Sequence, residues 1–252
     1  MEFIDRLWIK SLGLVVITIL LCAVSVHRSD AGEPPMAHDH ESSHHLNPSG
    51  DHTHTWEGSV EGKAYSNFNH HLAGVFIILI GLSEIHYGIT AAVLAWTRFL
   101  LPVFMVSVGV FLLIWSDHQG WPFGSTFAQA FFTGEWETIQ HKWFGILALV
   151  IGLIEWLRRT GQLMGRWWKF PLPAFAIVGG LSLFLHSHGT HPSAHQIALH
   201  HAVMGIMAVT AGSSKFLSDW KGALVTGGTS RWELAWAALV LLIGIQLLIY
   251  SE

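Results

Sequence analysis

The chain has 252 residues, 51% of them hydrophobic and 12% charged, with a formal net charge of −4 and a mean hydropathy of +0.44. That is the balance of an integral membrane protein, and it leaves no basic face for nucleic acid. The one cysteine, Cys22, excludes disulfides and thiolate metal clusters within a single chain.

Apolar spans lie near residues 8–26, 70–85, 90–115, 141–157, 170–187, 197–217 and 232–250. Several fall short of the roughly 20 residues that cross the hydrocarbon core, and histidine, tryptophan or lysine at their ends supplies length in the interfacial zone. The pattern predicts an all-α integral membrane protein of about seven transmembrane helices. Residues 1–26 read as an N-terminal transmembrane helix or uncleaved signal anchor. Arg6 and Lys10 precede the apolar run as in a secretory signal, but no small-x-small cleavage site follows. The window TILL before Cys22 also lacks the small residue that a lipoprotein site needs.

Residues 27–69 form an external histidine-rich segment. Its tract MAHDHESSHHLNPSGDHTHTW carries His38, His40, His44, His45, His52 and His54 among proline, glycine, serine and acids. So little apolar area predicts a flexible segment that collects metal ions weakly. Residues 27–69 hold seven acids against Arg28 and Lys63, whereas 156–170 hold Arg158, Arg159, Arg166 and Lys169 and no acid. The positive-inside rule then places 156–170 in the cytoplasm and 27–69 on the periplasmic side of a cell inner (plasma) membrane, with a cytoplasmic amino terminus.

Residues 70–252 are expected to form a six-helix bundle with an internal repeat. HHLAGVFIILIGLSE begins at His70, HKWFGILALVIGLIE at His141 and HAVMGIMAVTAGSSK at His201. Each has glycine at +4 (Gly74, Gly145, Gly205) and at +11 (Gly81, Gly152, Gly212), and an ionisable residue at +14 (Glu84, Glu155, Lys215). The spans that follow also match: Pro102 and Pro173 stand seven residues before Gly109 and Gly180, and Gly244 is the third equivalent glycine. This periodicity predicts one helical hairpin used three times, over 70–115, 141–187 and 201–250. All three copies enter in the same direction, so the repeat is parallel. Positions 0, +4, +7, +11 and +14 share one helix face, and glycine there lets backbones approach.

Of the 18 histidines, all but His86 fall on or beyond the external side. Neutral imidazole binds copper, zinc, nickel and iron. The candidate metal set is His70, His71, His118, His141, His186, His188, His200 and His201, with Met204 as a thioether that favours copper(I). If the repeats pack symmetrically, His70, His141 and His201 meet at one depth as a tri-histidine site. Glu84, Glu155 and Lys215 close the three stripes at the opposite end, either as a helix-register pair such as Glu155 with Lys215 or as an ion path. The connection 116–140 carries an aromatic side, with AQAFFTGEW a short amphipathic helix in the interface or over the histidines.

The expected function is capture of a transition metal, copper foremost and zinc or another ion next, for uptake, export or delivery to a periplasmic metal carrier. One alternative is a haem b subunit for electron transfer, with two axial histidines. Another is a structural subunit among other membrane subunits. No phosphate-binding glycine loop, helical HExxH or serine elbow occurs, so a metal-handling or accessory role is favoured over an enzyme. The charge asymmetry has a direct check. A Ser49→Cys probe should react with an impermeant reagent from outside, and a Thr160→Cys probe should be protected; the reverse pattern overturns the orientation.

Overall fold

A computed structural model describes residues 59–89, 95–117, 122, 124–133, 136–185, 194–221 and 230–251. The span 8–26, the weak-collector histidines and His118, His186 and His188 lie outside the described residues. The helices are α1 (Val60–Ile89), α2 (Leu100–Ile114), α3 (Phe127–Thr133), α4 (Trp136–Arg159), α5 (Pro171–Ser182), α6 (Ala194–Lys221) and α7 (Arg231–Leu248). Short 3-10 turns at Ala95–Phe99 and Arg166–Lys169 lead into α2 and α5. No strand occurs among the described residues.

Five segments are long and apolar enough to cross a membrane: Val60–Tyr87, Trp96–Ile114, Trp136–Arg159, His195–Lys221 and Arg231–Leu248. The span expected at 170–187 takes a different form. Its helix α5 has 12 residues, about 18 Å at 1.5 Å per residue, against a hydrocarbon core of roughly 30 Å. Pro171 and Pro173 suit its first turn, where their missing N–H groups have no intrahelical partner. Beyond Ser182 the chain tightens, with Phe184 N–H donating to Leu181 and Leu185 N–H to Ser182.

The histidine-led helices also start earlier than the apolar pattern indicates. Helix α1 begins at Val60, ten residues before His70, where the Ser59 hydroxyl accepts from Gly62 N–H at 3.0 Å. Helix α4 ends in a Schellman motif: Gly161 at φ 79° donates to Arg158, and Gln162 donates to Leu157. Helix α7 is capped by the Ser230 hydroxyl, which accepts from Trp232 N–H.

The six long elements close a ring in chain order, α1–α2–α4–α5–α6–α7, with α7 returning to α1. All six contribute to one core, including Phe76 and Ile80 of α1, Phe104 of α2, Ala148 and Ile151 of α4, Leu172 of α5, Ala211 of α6 and Trp236 of α7. The expected pairing of neighbours within 70–115, 141–187 and 201–250 is only part of the packing. The most extensive packing of all six helices is made across those units, α2 on α4, α5 on α6 and α7 on α1.

Glycine explains this choice. A Cβ on Gly109 would lie 2.9 Å from the Gly145 carbonyl, one on Gly205 2.8 Å from the Gly180 carbonyl, and one on Gly74 2.9 Å from the Gly244 carbonyl. The three contacts fall at positions that the sequence pattern equates. A second tier repeats them: Gly152 meets Val106 and the Pro102 carbonyl, Gly212 meets Ile177 and the Pro173 carbonyl, and Gly81 meets Leu241. Lipid is as apolar as a helix surface, so close backbone packing replaces the hydrophobic effect as the force between helices. The opposite faces carry exposed Val75, Leu79 and Leu82 on α1, Ile146, Val150 and Leu153 on α4, and Val203 and Ile206 on α6.

Two adjacent glycines separate packing from composition. Gly180→Val drives a side chain into the backbone of α6 and should lower the unfolding midpoint in detergent, at a cost of about 1–3 kcal/mol. Gly179→Ala, whose new methyl would lie 3.7 Å from Phe144, should leave the midpoint unchanged or raised.

Candidate functional site

Polar groups gather at the two ends of the ring, with the apolar core between them. At the first end, α1, α6 and the end of α7 bring His70, His71, His200, His201 and Tyr250 together. The His70 and His201 ring centres are 6.3 Å apart. The Tyr250 ring stacks on His70 at 3.9 Å and meets His200 edge-on at 5.3 Å. His71 Nε2 donates to the Tyr250 carbonyl at 2.9 Å. His70 Nδ1 donates to the Ser66 carbonyl at 2.8 Å, one helical turn back. That bond fixes the tautomer, so Nε2 is the basic nitrogen of His70. His201 and Met204 are both buried in the same part of α6.

His141 occupies the equivalent position on α4 and has its own anchor. Its Nδ1 donates to Asp117 Oδ1 at 2.9 Å, and Asp117 Oδ2 takes Lys142 Nζ at 2.9 Å and the Ser116 hydroxyl at 2.6 Å. Burial alone would raise the Asp117 pKa. The His141 charge and hydrogen bond, the Lys142 charge and the Ser116 hydroxyl outweigh it, so the carboxyl stays ionised well below the usual carboxylate range. The neighbouring Tyr65 hydroxyl donates to the Trp115 carbonyl and ties α1 to the end of α2. Among the described residues, no three His, Cys, Asp or Glu side chains are grouped as a single ion would require. The described histidines therefore stand as the α1–α6–α7 set and the Asp117–His141 pair.

The second end is ionic. Arg159 forks onto Glu84 of α1, Nη1 to Oε1 at 3.0 Å and Nη2 to Oε2 at 3.3 Å, while its Nε reaches Glu155 Oε2 at 3.3 Å. Arg159 also donates to the Arg98 carbonyl, and Arg158 pairs with the other oxygen of Glu155. Lys215 pairs with Glu233 of α7, and Asp219 lies 3.8 Å away on its own helix. The expected Glu155–Lys215 pair is thus replaced by Glu155–Arg159 and Lys215–Glu233. Glu155 takes bases of its own helix, Lys215 takes an acid of the neighbouring α7, and the long Arg159 side chain reaches past the start of α2 to Glu84 of α1. Glu84 and Glu155 are only 2% and 1% exposed, a burial that requires such partners.

Arg159, Glu233 and Lys142 join the site only in the structure, whereas Tyr250 stands six residues after Gly244 as His186 does after Gly180. Two of the former carry a signal, and Arg159 is the first: it stands four residues after Glu155, an i,i+4 pair on a helix. Its place after the apolar run makes it look like a loop base, but it is the last residue of α4. Lys142 stands directly after a histidine inside an apolar span, where a charge requires a partner. The aromatic connection carries α3, with Phe131 and Phe132 exposed and Phe127 edge-on to Trp143 at 6.3 Å.

Comparison of the chain with known protein families, curated proteins and solved structures finds no match. The ionic pairing provides its own test. Lys215→Glu should place three acids together in a poorly hydrated zone and cost about 3–5 kcal/mol, read as a lower unfolding midpoint in detergent. Adding Glu233→Lys should recover part of that loss, whereas adding Glu155→Lys should recover none.

Proposed function

We propose that this membrane protein captures a transition-metal ion, copper foremost, at its histidine-bearing end and passes it across the membrane or to a periplasmic carrier. The observation that carries the reading is the His70–His201 approach of 6.3 Å with His70 Nδ1 already committed to a carbonyl. Two imidazoles that share an ion at bonds of about 2 Å have ring centres roughly 5–6 Å apart. A small side-chain adjustment therefore closes His70 and His201 on one ion. His200, His71 and the buried thioether of Met204 are candidate sources of a further ligand, and a thioether favours copper(I).

His141 fits the same chemistry from the other side of the ring. A ligand histidine usually gives its second nitrogen to a carboxylate or carbonyl, which orients the ring. Asp117 holds His141 in this way, as the Ser66 carbonyl holds His70. The external histidine-rich segment 27–69 belongs to the proposal as well, with His38, His40, His44, His45, His52 and His54 as weak collectors of ions on the periplasmic side. The finer architecture belongs to the proposal too: an N-terminal helix over 8–26, three repeats in 70–252, and inner-membrane placement with a cytoplasmic amino terminus. The filled core favours hand-over at the histidine end over conduction along the ring axis.

The test is metal binding by the purified, metal-stripped protein in detergent. One ion should bind tightly, and His70→Ala and His201→Ala should each weaken it at least tenfold. Deleting residues 38–54 should remove only weak capacity. Tight binding that survives both alanine variants overturns the reading, and a Soret absorption band in the purified protein assigns the histidines to haem instead.

A further inference from the structure

A cavity of about 430 Å3 lies between the end of α2, the short helix α3 and the start of α4. Leu113, Phe127, Ala130 and Ile146 give it apolar walls, and Lys142 is its one charged lining residue. Its size falls in the roughly 300–1,000 Å3 range of small-molecule sites. Lys142 is 3% exposed. Its ammonium gives one N–H to Asp117 at 2.9 Å and one to the Leu112 carbonyl at 3.3 Å. An ammonium has three donors, so one N–H of a buried cation remains to be used, on a side chain that lines the cavity.

We propose that this cavity holds one acyl chain of a bilayer phospholipid, with the ester carbonyl of that chain accepting the remaining Lys142 N–H. Three observations select this occupant. The Asp117 carboxylate already balances the Lys142 charge, so a neutral carbonyl acceptor suits the site better than a second anion. Lys142 lies six residues beyond Trp136 in α4, about 9 Å along the helix from an exposed aromatic of the interfacial kind. With Trp136 at the outer edge of the interfacial zone, which is roughly 5–7 Å thick, Lys142 comes to the level of the glycerol esters and the first acyl carbons. The apolar walls then continue from Lys142 to Leu113 and Ile146, on the course that an acyl chain follows.

The test is separable from the metal reading, since neither His70 nor His201 lines the cavity and Asp117 is the one group shared with His141. The experiment is native mass spectrometry of the full chain, delipidated in detergent and then exposed to a palmitoyl-oleoyl phosphatidylethanolamine. The wild type should retain one phospholipid through collisional activation. Ile146→Trp fills the cavity while leaving the Asp117–Lys142 pair in place, and it should reduce that retention at least fivefold. Leu82→Trp, on the exposed face of α1, should retain lipid as the wild type does. Lys142→Met should weaken retention as well, and its melting curve separates loss of the donor from loss of the fold. Equal retention by wild type and Ile146→Trp overturns the proposal. So does a wild type that takes up free palmitate but no phospholipid.

Discussion

Glycine against glycine, backbone against backbone, is the constraint on which the rest of this bundle depends. In water, an apolar helix face is driven inward by the solvent; in lipid that drive disappears and close contact must supply the attraction. At Gly109–Gly145, Gly180–Gly205 and Gly74–Gly244 even a methyl group would collide with the opposing carbonyl. The helices there approach to backbone distance, and the second tier at Gly81, Gly152 and Gly212 extends each contact along the helix. Two tiers fix the rotation of each helix as well as its separation.

Fixed rotation has consequences at both ends. The face that carries the glycines also carries the residues at 0 and +14, so packing them inward carries Glu84, Glu155 and Lys215 into the protein. Buried carboxylates and ammonium groups need partners, and other helices of the ring supply them: Arg159 of α4 reaches Glu84 of α1, and Lys215 of α6 reaches Glu233 of α7. These pairs set the register between helices that glycine has already brought together. Replacing one member leaves its partner as an uncompensated charge, which is why a few ionic contacts bear heavily on stability.

At the opposite end the same rotation turns His70 and His201 toward one another and sets Tyr250 against both His70 and His200. Imidazoles held by outer carbonyls and carboxylates, as His70 and His141 are, are oriented before any ion arrives. The proposed metal chemistry and the proposed lipid site use neighbouring but different groups. Asp117 links them, since one oxygen orients His141 and the other balances Lys142.

By itself the sequence determined the all-helical membrane class, the recurrent histidine–glycine–glycine–charge face and its inward orientation, because these follow from residue type and helical period. Helix lengths were less legible. Ser59 as a cap extends α1 well before the apolar run, and the prolines at 171 and 173 begin an α5 of only 12 residues. Which helices touch was decided only in three dimensions: a stripe of glycine says that a face is packed, not against which neighbour. For the same reason Arg159 found Glu84 and Lys215 found Glu233, since between helices a charge pairs with whatever base or acid the fold places beside it. The apolar cavity beside Lys142 arises where α3 folds back against α2 and α4, a meeting of three elements that periodicity along one helix does not record.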